Sequence, residues 1–179
     1  GTEATFNPLV LGSRPRGGTK KAQLADRRDR SGLGGGVGDH EAGAVLGAER
    51  VQPGDVVLAL ASSGLHSNGY SLVRHIVSRA GITYGSDAAD FGRTWGEELL
   101  EPTRLYTLPL LRLLDALPSG IHSLSHVTGG GIAANLARVL PVGTWVDLDR
   151  STWSPAPVFR VLADLGDLTL ESTEGTWNL

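Results

Sequence analysis

Val56-Val57-Leu58-Ala59-Leu60-Ala61 runs into Ser62-Ser63-Gly64-Leu65-His66-Ser67-Asn68-Gly69 and then into Tyr70-Ser71-Leu72-Val73-Arg74-His75-Ile76-Val77-Ser78-Arg79-Ala80. The first segment is a continuous apolar run of strand length, the pattern of a strand buried on both faces. The second is polar and bounded by glycines, so it reads as a loop. In the third, Leu72, Val73, Ile76, Val77 and Ala80 share one helical face while Arg74, His75, Ser78 and Arg79 share the other. Gly81 is placed to stop that helix. Upstream, Val51-Gln52-Pro53-Gly54-Asp55 reads as a turn. The unit is strand, polar loop, helix.

A second unit repeats this logic. Ile121 to Val127 is expected as a strand, and Thr128-Gly129-Gly130-Gly131 leads into a helical pattern from Ile132 to Leu140, closed by Pro141. Glycines at a helix start bring bare backbone N–H groups toward a ligand, and the helix dipole favours an anion there. Both loops are rich in hydroxyl and amide groups, so the pair suits a phosphate or another oxyanion. Between the units, Glu101-Pro102-Thr103-Arg104 breaks the pattern, and Pro109 fits the first turn of a helix running through Leu117. Thr144 to Leu148 alternates as a short strand. Ser154-Pro155 is expected to start a helix that carries Val158-Phe159-Arg160-Val161-Leu162 and ends at Gly166. The alternation of strands and helices makes the fold class α/β (α+β).

Composition narrows the chemistry. The chain has 179 residues with no cysteine and no methionine, and its two lysines are Lys20 and Lys21. Disulfides, thiolate metal sites and cysteine nucleophiles are excluded, and the main body offers no Schiff-base or phosphate-loop lysine. No stretch approaches the roughly 18 apolar residues of a membrane span, and nothing in the sequence resembles a signal peptide, so a cytoplasmic location is expected. An opening Gly1 and the absence of methionine are expected of a fragment or a processed product.

Charge divides the chain unevenly. Residues 1–40 carry seven basic side chains against four acidic ones, and residues 41–179 carry nine arginines against fifteen acids. The basic leader ends in a glycine run, Gly32 to Gly38. A nucleic-acid arm is one reading of it. A disordered or non-native leader is the favoured one, because few large apolar residues are present to offset ordering entropy. The acidic body does not suit nucleic acid.

The string Ala61-Ser62-Ser63-Gly64-Leu65-His66-Ser67-Asn68-Gly69-Tyr70-Ser71-Leu72-Val73-Arg74 closely resembles the signature of the aminoimidazole ribonucleotide synthetase family, the phosphoribosylformylglycinamidine cyclo-ligases. Three further stretches match in the same order: Leu100 to Tyr106, His126 to Gly131, and Asp149 to Trp153 with Pro157-Val158-Phe159. The resemblance runs from about Val45 to the end and covers the family's C-terminal domain, which implies a layered mixed sheet with flanking helices. It implies ATP-dependent ring closure of formylglycinamidine ribonucleotide to aminoimidazole ribonucleotide in purine synthesis. It implies ATP and magnesium as cofactors of the full-length enzyme, bound mostly by an N-terminal domain that also forms a homodimer barrel. Nothing in residues 1–43 matches that domain, so the fragment alone is expected to hold neither cofactor and not to turn over. Residues 44–179 are read as a substrate-binding domain truncated at its end. The abrupt junction between the leader and the match is what an out-of-frame or vector-derived stretch would give.

The resemblance and the residue chemistry together nominate a substrate site. Ser62, Ser63, His66, Ser67 and Asn68 are expected to contact the ribonucleotide, with Gly64 and Gly69 shaping the loop. His66 is also a candidate general acid or base, although binding ranks above catalysis for it. Thr128, Gly129, Gly130 and Gly131 are expected as donors to a phosphate or an activated oxygen. Asn135 is expected to face the site, and Arg138 to be a site residue or a solvated charge. Ala134 stands where many relatives carry an acid. His126 either orients the second loop or packs in the core. His40, His75 and His122 show no metal-ligand pattern, and no metal site is expected, Asp147 and Asp149 being the weak exception. Rival readings are a non-catalytic phosphate-binding module and another member of the superfamily, such as formylglycinamidine ribonucleotide synthetase or selenophosphate synthetase. The His-Ser-Asn-Gly-Tyr-Ser string argues against those two enzymes. Neither a membrane nor a nucleic-acid partner is expected.

Overall fold

The structure, a computed structural model, describes residues 6–12 and 45–179. The remainder of the leader, with its basic cluster, its glycine run and His40, lies outside the described residues. Strand β1 (Phe6–Gly12) is the middle of a three-stranded sheet, between β2 (Val56–Ala61) and β5 (Ile121–Ser125). It runs antiparallel to both, with Val10 opposite Leu58 on one side and Leu124 on the other. Phe6–Gly12 falls inside the leader that was expected to stand apart from the domain, yet its backbone forms the centre of this sheet. The helices and sheet accord with the α/β class. The expected mixed pairing is not seen among the described residues, where every pairing is antiparallel.

With β1 antiparallel to both, β2 and β5 point the same way. Their C-terminal ends, and the loops that follow them, therefore lie at one end of the sheet. The two strands flank a single one, so they stand about 10 Å apart. The first loop leads into α1 (Tyr70–Arg79) and the second into α4 (Gly131–Leu136).

Helix α1 forms as its periodicity requires, with Val73, Ile76 and Val77 buried and Arg74, His75, Ser78 and Arg79 exposed. It packs with α5 (Pro157–Gly166), and α5 packs with α6 (Leu170–Trp177). Phe159, Leu162 and Trp177 sit in this main core. A smaller cluster of Val127, Ile132, Leu136 and Leu140 meets the partly buried Val57 of β2. A two-stranded ribbon, β3 (Asp87–Ala88) with β4 (Arg93–Thr94), leads into α2 (Trp95–Leu99). That helix begins with a capping box in which Thr94 and Glu97 satisfy each other's backbone N–H groups. Helix α3 (Thr107–Ala116) follows the Glu-Pro-Thr-Arg break and contributes no buried residue.

Several elements differ from expectation. Strand β2 is not covered on both faces: among the described residues it lies at an edge of the sheet, and Leu58 is 57% exposed. An apolar run records hydrophobicity but not whether a second layer is there to cover it. Helix α4 stops at Leu136 rather than Leu140, because Arg138 N–H and Val139 N–H turn back to carbonyls three residues away and tighten the last turn. Helix α5 begins at Pro157, not at Ser154-Pro155, with Pro157 in the first turn. No strand forms over residues 144–148. Helix α6 escaped the sequence reading because Leu-Glu-Ser-Thr-Glu-Gly-Thr-Trp has little apolar periodicity. Thr169 starts it, its hydroxyl accepting the Ser172 N–H at 3.1 Å.

Candidate functional site

Two loops and two further segments converge at the C-terminal ends of β2 and β5. A side chain added at Gly129 would begin 3.9 Å from Asn68 Nδ2, so the loop after β2 and the loop after β5 are neighbours. Both rest on α6. A Cβ at Gly69 would lie 2.4 Å from Trp177 Cδ1, and one at Gly131 would lie 3.3 Å from the Glu174 carbonyl oxygen. Gly130 N–H donates to Gly175 O at 2.9 Å. Gly69 and Gly131 both have positive φ, at 78° and 75°, so these close approaches need glycine for conformation as well as for space.

The first loop is strapped to the Glu-Pro-Thr-Arg segment by one hydroxyl. Ser63 Oγ donates to Pro102 O at 2.7 Å and accepts the Arg104 N–H at 3.1 Å. Tyr106 adds a second tie, its hydroxyl donating to Ala61 O at 2.8 Å. Arg93 bridges Glu98 and Glu101 at 2.6 Å each, holding the start of the strap to α2. Sequence reading took residues 101–104 as a break in the pattern and as part of a stretch resembling the family, without a role in the site. Proline and a run without periodicity mark a loop but cannot say what that loop touches.

His66 occupies the left-handed region at φ 53°, and its ring turns back on its own loop. Nε2 accepts the Ser63 N–H at 3.0 Å and lies 2.9 Å from Ser63 Oγ. An accepting Nε2 requires the neutral ring with its proton on Nδ1. Burial holds the His66 pKa below its ordinary value, and the nearby charges of Arg104 and His126 act in the same direction. His66 is therefore neutral near pH 7, with one ring nitrogen engaged in shaping the loop. Its geometry suits positioning more than proton transfer from Nε2.

The remaining nominated residues divide by accessibility. Ser62 is half-buried, and its hydroxyl donates to Gly64 O at 3.4 Å. Ser67 is exposed beside Asn68, whose Oδ1 it reaches at 3.3 Å. Gly129 and Gly130 are exposed, whereas Gly64 and Gly131 are buried. The expectation that Asn135 faces a ligand is corrected. It is 3% exposed, and Nδ2 donates to Thr128 O at 2.9 Å and Gly131 O at 2.7 Å. Its Oδ1 accepts from Thr128 Oγ1 at 3.3 Å and Arg138 Nη1 at 3.0 Å. Asn135 braces the glycine loop from behind, with both amide hydrogens committed. In the same way Gly130 N–H and Gly131 N–H are bonded within the protein, which leaves Gly129 as the exposed amide of the triplet.

The histidines and acids outside the loops separate likewise. His126 is exposed at the end of β5, so core packing does not account for it. His122 is buried and paired with Asp55 at 2.7 Å, at the opposite end of β2 from the loop. Asp149 caps a short 3₁₀ turn, Oδ1 accepting the Ser151 N–H at 3.0 Å. Among the described residues no group of three or more His, Asp or Glu side chains is arranged to hold a metal ion. Nor, among the described residues, is any helix long and apolar enough to cross a membrane.

The chain is an α/β domain with two adjacent donor-rich loops after two like-directed strands. Residues 52–175 match the family described as AIR synthase related protein, C-terminal domain, and the chain belongs to that family. A Streptomyces fradiae protein, provisionally named phosphoribosylformylglycinamidine cyclo-ligase, is 51% identical over 130 residues, covering 72% of this chain and 70% of that protein. The phosphoribosylformylglycinamidine cyclo-ligase of Aromatoleum aromaticum is 42% identical over 142 residues, covering 79% of this chain and 40% of its own length. That of Shouchella clausii is 41% identical over 145 residues, covering 80% and 41%. The chain thus spans about two fifths of the length of the latter two relatives.

Proposed function

We propose that this chain is the substrate-binding portion of a phosphoribosylformylglycinamidine cyclo-ligase, acting in ATP-dependent closure of the imidazole ring of aminoimidazole ribonucleotide. The observation that carries this reading is the convergence of the Ser62–Gly69 and Thr128–Gly131 loops on one end of the sheet, held by α6 and by the Ser63 strap. Such a surface offers neutral donors on rigid supports, which suits a ribose phosphate and a polar amidine tail. Ser62, Ser67, Asn68, Thr128 and the Gly129 amide face the ligand. His66 and Asn135 hold the loops that carry them.

ATP and magnesium belong, on this reading, to the part of the longer relatives outside the matched region. ATP supplies phosphoryl activation of the formyl oxygen there. The residues of this chain orient the ribonucleotide so that its amidine nitrogen meets the activated carbon. The enzyme works in the cytoplasm, as a homodimer when full length.

Thermal stabilisation tests the reading. Formylglycinamidine ribonucleotide should raise the melting temperature of this chain, while sulfate and simple sugar phosphates at the same concentration should not. Equal shifts with all of them would favour a generic phosphate-binding module instead. The chain alone should release no ADP from ATP and substrate; turnover above background would overturn that part.

A further inference from the structure

We infer that Arg104 binds the 5′-phosphate of the ribonucleotide, supplying the positive charge that the two neutral loops lack. The inference rests on the substrate-site reading above and adds a residue to it.

A phosphate monoester carries close to two negative charges near neutral pH, and donors without charge satisfy its oxygens but leave that charge uncompensated in a half-enclosed site. The body of the chain is acidic overall, and within it a cation for the phosphate is a specific side chain. Lysine is absent from residues 41–179. Among the arginines, Arg93 is taken by Glu98 and Glu101, Arg150 by Glu174, and Arg138 by Asn135. Arg50 reaches Pro118 O at 3.4 Å. Arg74 and Arg79 are on the exposed face of α1, Arg112 is on α3 and Arg160 on α5.

Arg104 differs from all of these. Its backbone N–H is fixed to Ser63 Oγ at 3.1 Å, which anchors its Cα against the first loop. Its side chain is exposed, and among the described residues no carboxylate is within ion-pair distance of it. The neighbouring Tyr106 ring stands 6.2 Å from the His66 ring, which orients the strap along the loop. His126, exposed at the end of β5, acts electrostatically on His66, as Arg104 does. A planar guanidinium matches two phosphate oxygens at once.

The design of the strap makes the test clean, because the tie to Ser63 uses the backbone of residue 104. Arg104→Gln removes the guanidinium and keeps that hydrogen bond. Calorimetric titration of this chain and of Arg104→Gln would use formylglycinamidine ribonucleotide, the same molecule without its 5′-phosphate, and ATP with magnesium. The expected result is a loss of about ten- to hundredfold in ribonucleotide affinity, no change for the dephosphorylated compound, and partial recovery in Arg104→Lys. Unchanged ribonucleotide affinity in Arg104→Gln would overturn the inference while leaving the substrate site standing. Equal losses for both compounds, or a loss confined to ATP, would also overturn it. No ribonucleotide binding by the unaltered chain would overturn the substrate-site reading and this inference with it.

Discussion

The indole of Trp177 closes directly over Gly69, so that a Cβ at position 69 would fall 2.4 Å from Trp177 Cδ1 and 3.2 Å from the Thr176 carbonyl oxygen. This contact joins the last turn of α6 to the residue that opens α1 and fixes the exit of the first loop. Gly69→Ala should therefore carry two penalties, left-handed backbone and a clash with a buried ring, together about 2–4 kcal/mol. Gly81→Ala is the control: its φ is also positive, at 67°, but nothing lies within 4 Å. It should lose only the backbone part, about 1–2 kcal/mol. Urea unfolding followed by tryptophan fluorescence would compare them, and equal losses would show that the Trp177 contact is slack.

Ser63 joins segments 39 and 41 residues away through a single hydroxyl. Ser63→Ala should cost about 1–2 kcal/mol and loosen residues 101–106. Amide hydrogen exchange gives the local readout. The Arg104 N–H should exchange faster in the variant, while amides of α5 stay protected to the same degree.

The pH dependence of stability follows from His66. Its folded-state pKa lies below the ordinary 6.5, so the unfolded chain takes up the proton first as pH falls. Above about 6.5 the ring is neutral in both states and contributes nothing to the slope. Below it, stability should decline with pH until the folded-state pKa is passed. His66→Asn should flatten this component. Midpoints of urea unfolding between pH 5 and 8 for both proteins would measure it, and parallel curves would remove His66 as the source.

Asp55 and His122 pair at 2.7 Å, and Asp55 Oδ2 also accepts the Gln52 N–H at 2.9 Å. Asp55→Ala would leave a buried imidazole and a turn amide without this acceptor, at a cost of about 1–3 kcal/mol. Asp55 precedes β2, whereas the first loop follows it, a strand length of roughly 20 Å away. Stability should fall with ribonucleotide affinity unchanged wherever the variant is folded. A change in affinity would mean that strain at one end of the sheet reaches the other.

Much of this architecture was legible in the order of residues. The apolar face of α1, the end of α5 at Gly166 and the two glycine-bounded loops are local patterns, written by residues within a turn or two of each other. The proposed site was partly legible: Ser67 and Gly129 are exposed at the end of the sheet, with Ser62, Asn68 and Thr128 half-buried in the same two loops. Asn135 was misread because spacing along a helix does not reveal that both amide hydrogens are already used. Arg104 and α6 were passed over because their meaning lies in contacts across tens of residues or more.

By itself the sequence determined which segments would be helix, strand or loop in the two main units, which chemical groups the loops would carry, and, through its ordered motifs, the family. Tertiary structure alone decided that the two loops lie at one end of a sheet, that α6 and the strap brace them, that His66 faces its own loop, and that Leu58 of β2 is exposed. The physical reason is range. Hydrophobic periodicity and turn chemistry act over a few residues, whereas an exposed face, a committed hydrogen bond or a close approach to glycine depends on which distant segment the folded chain brings there.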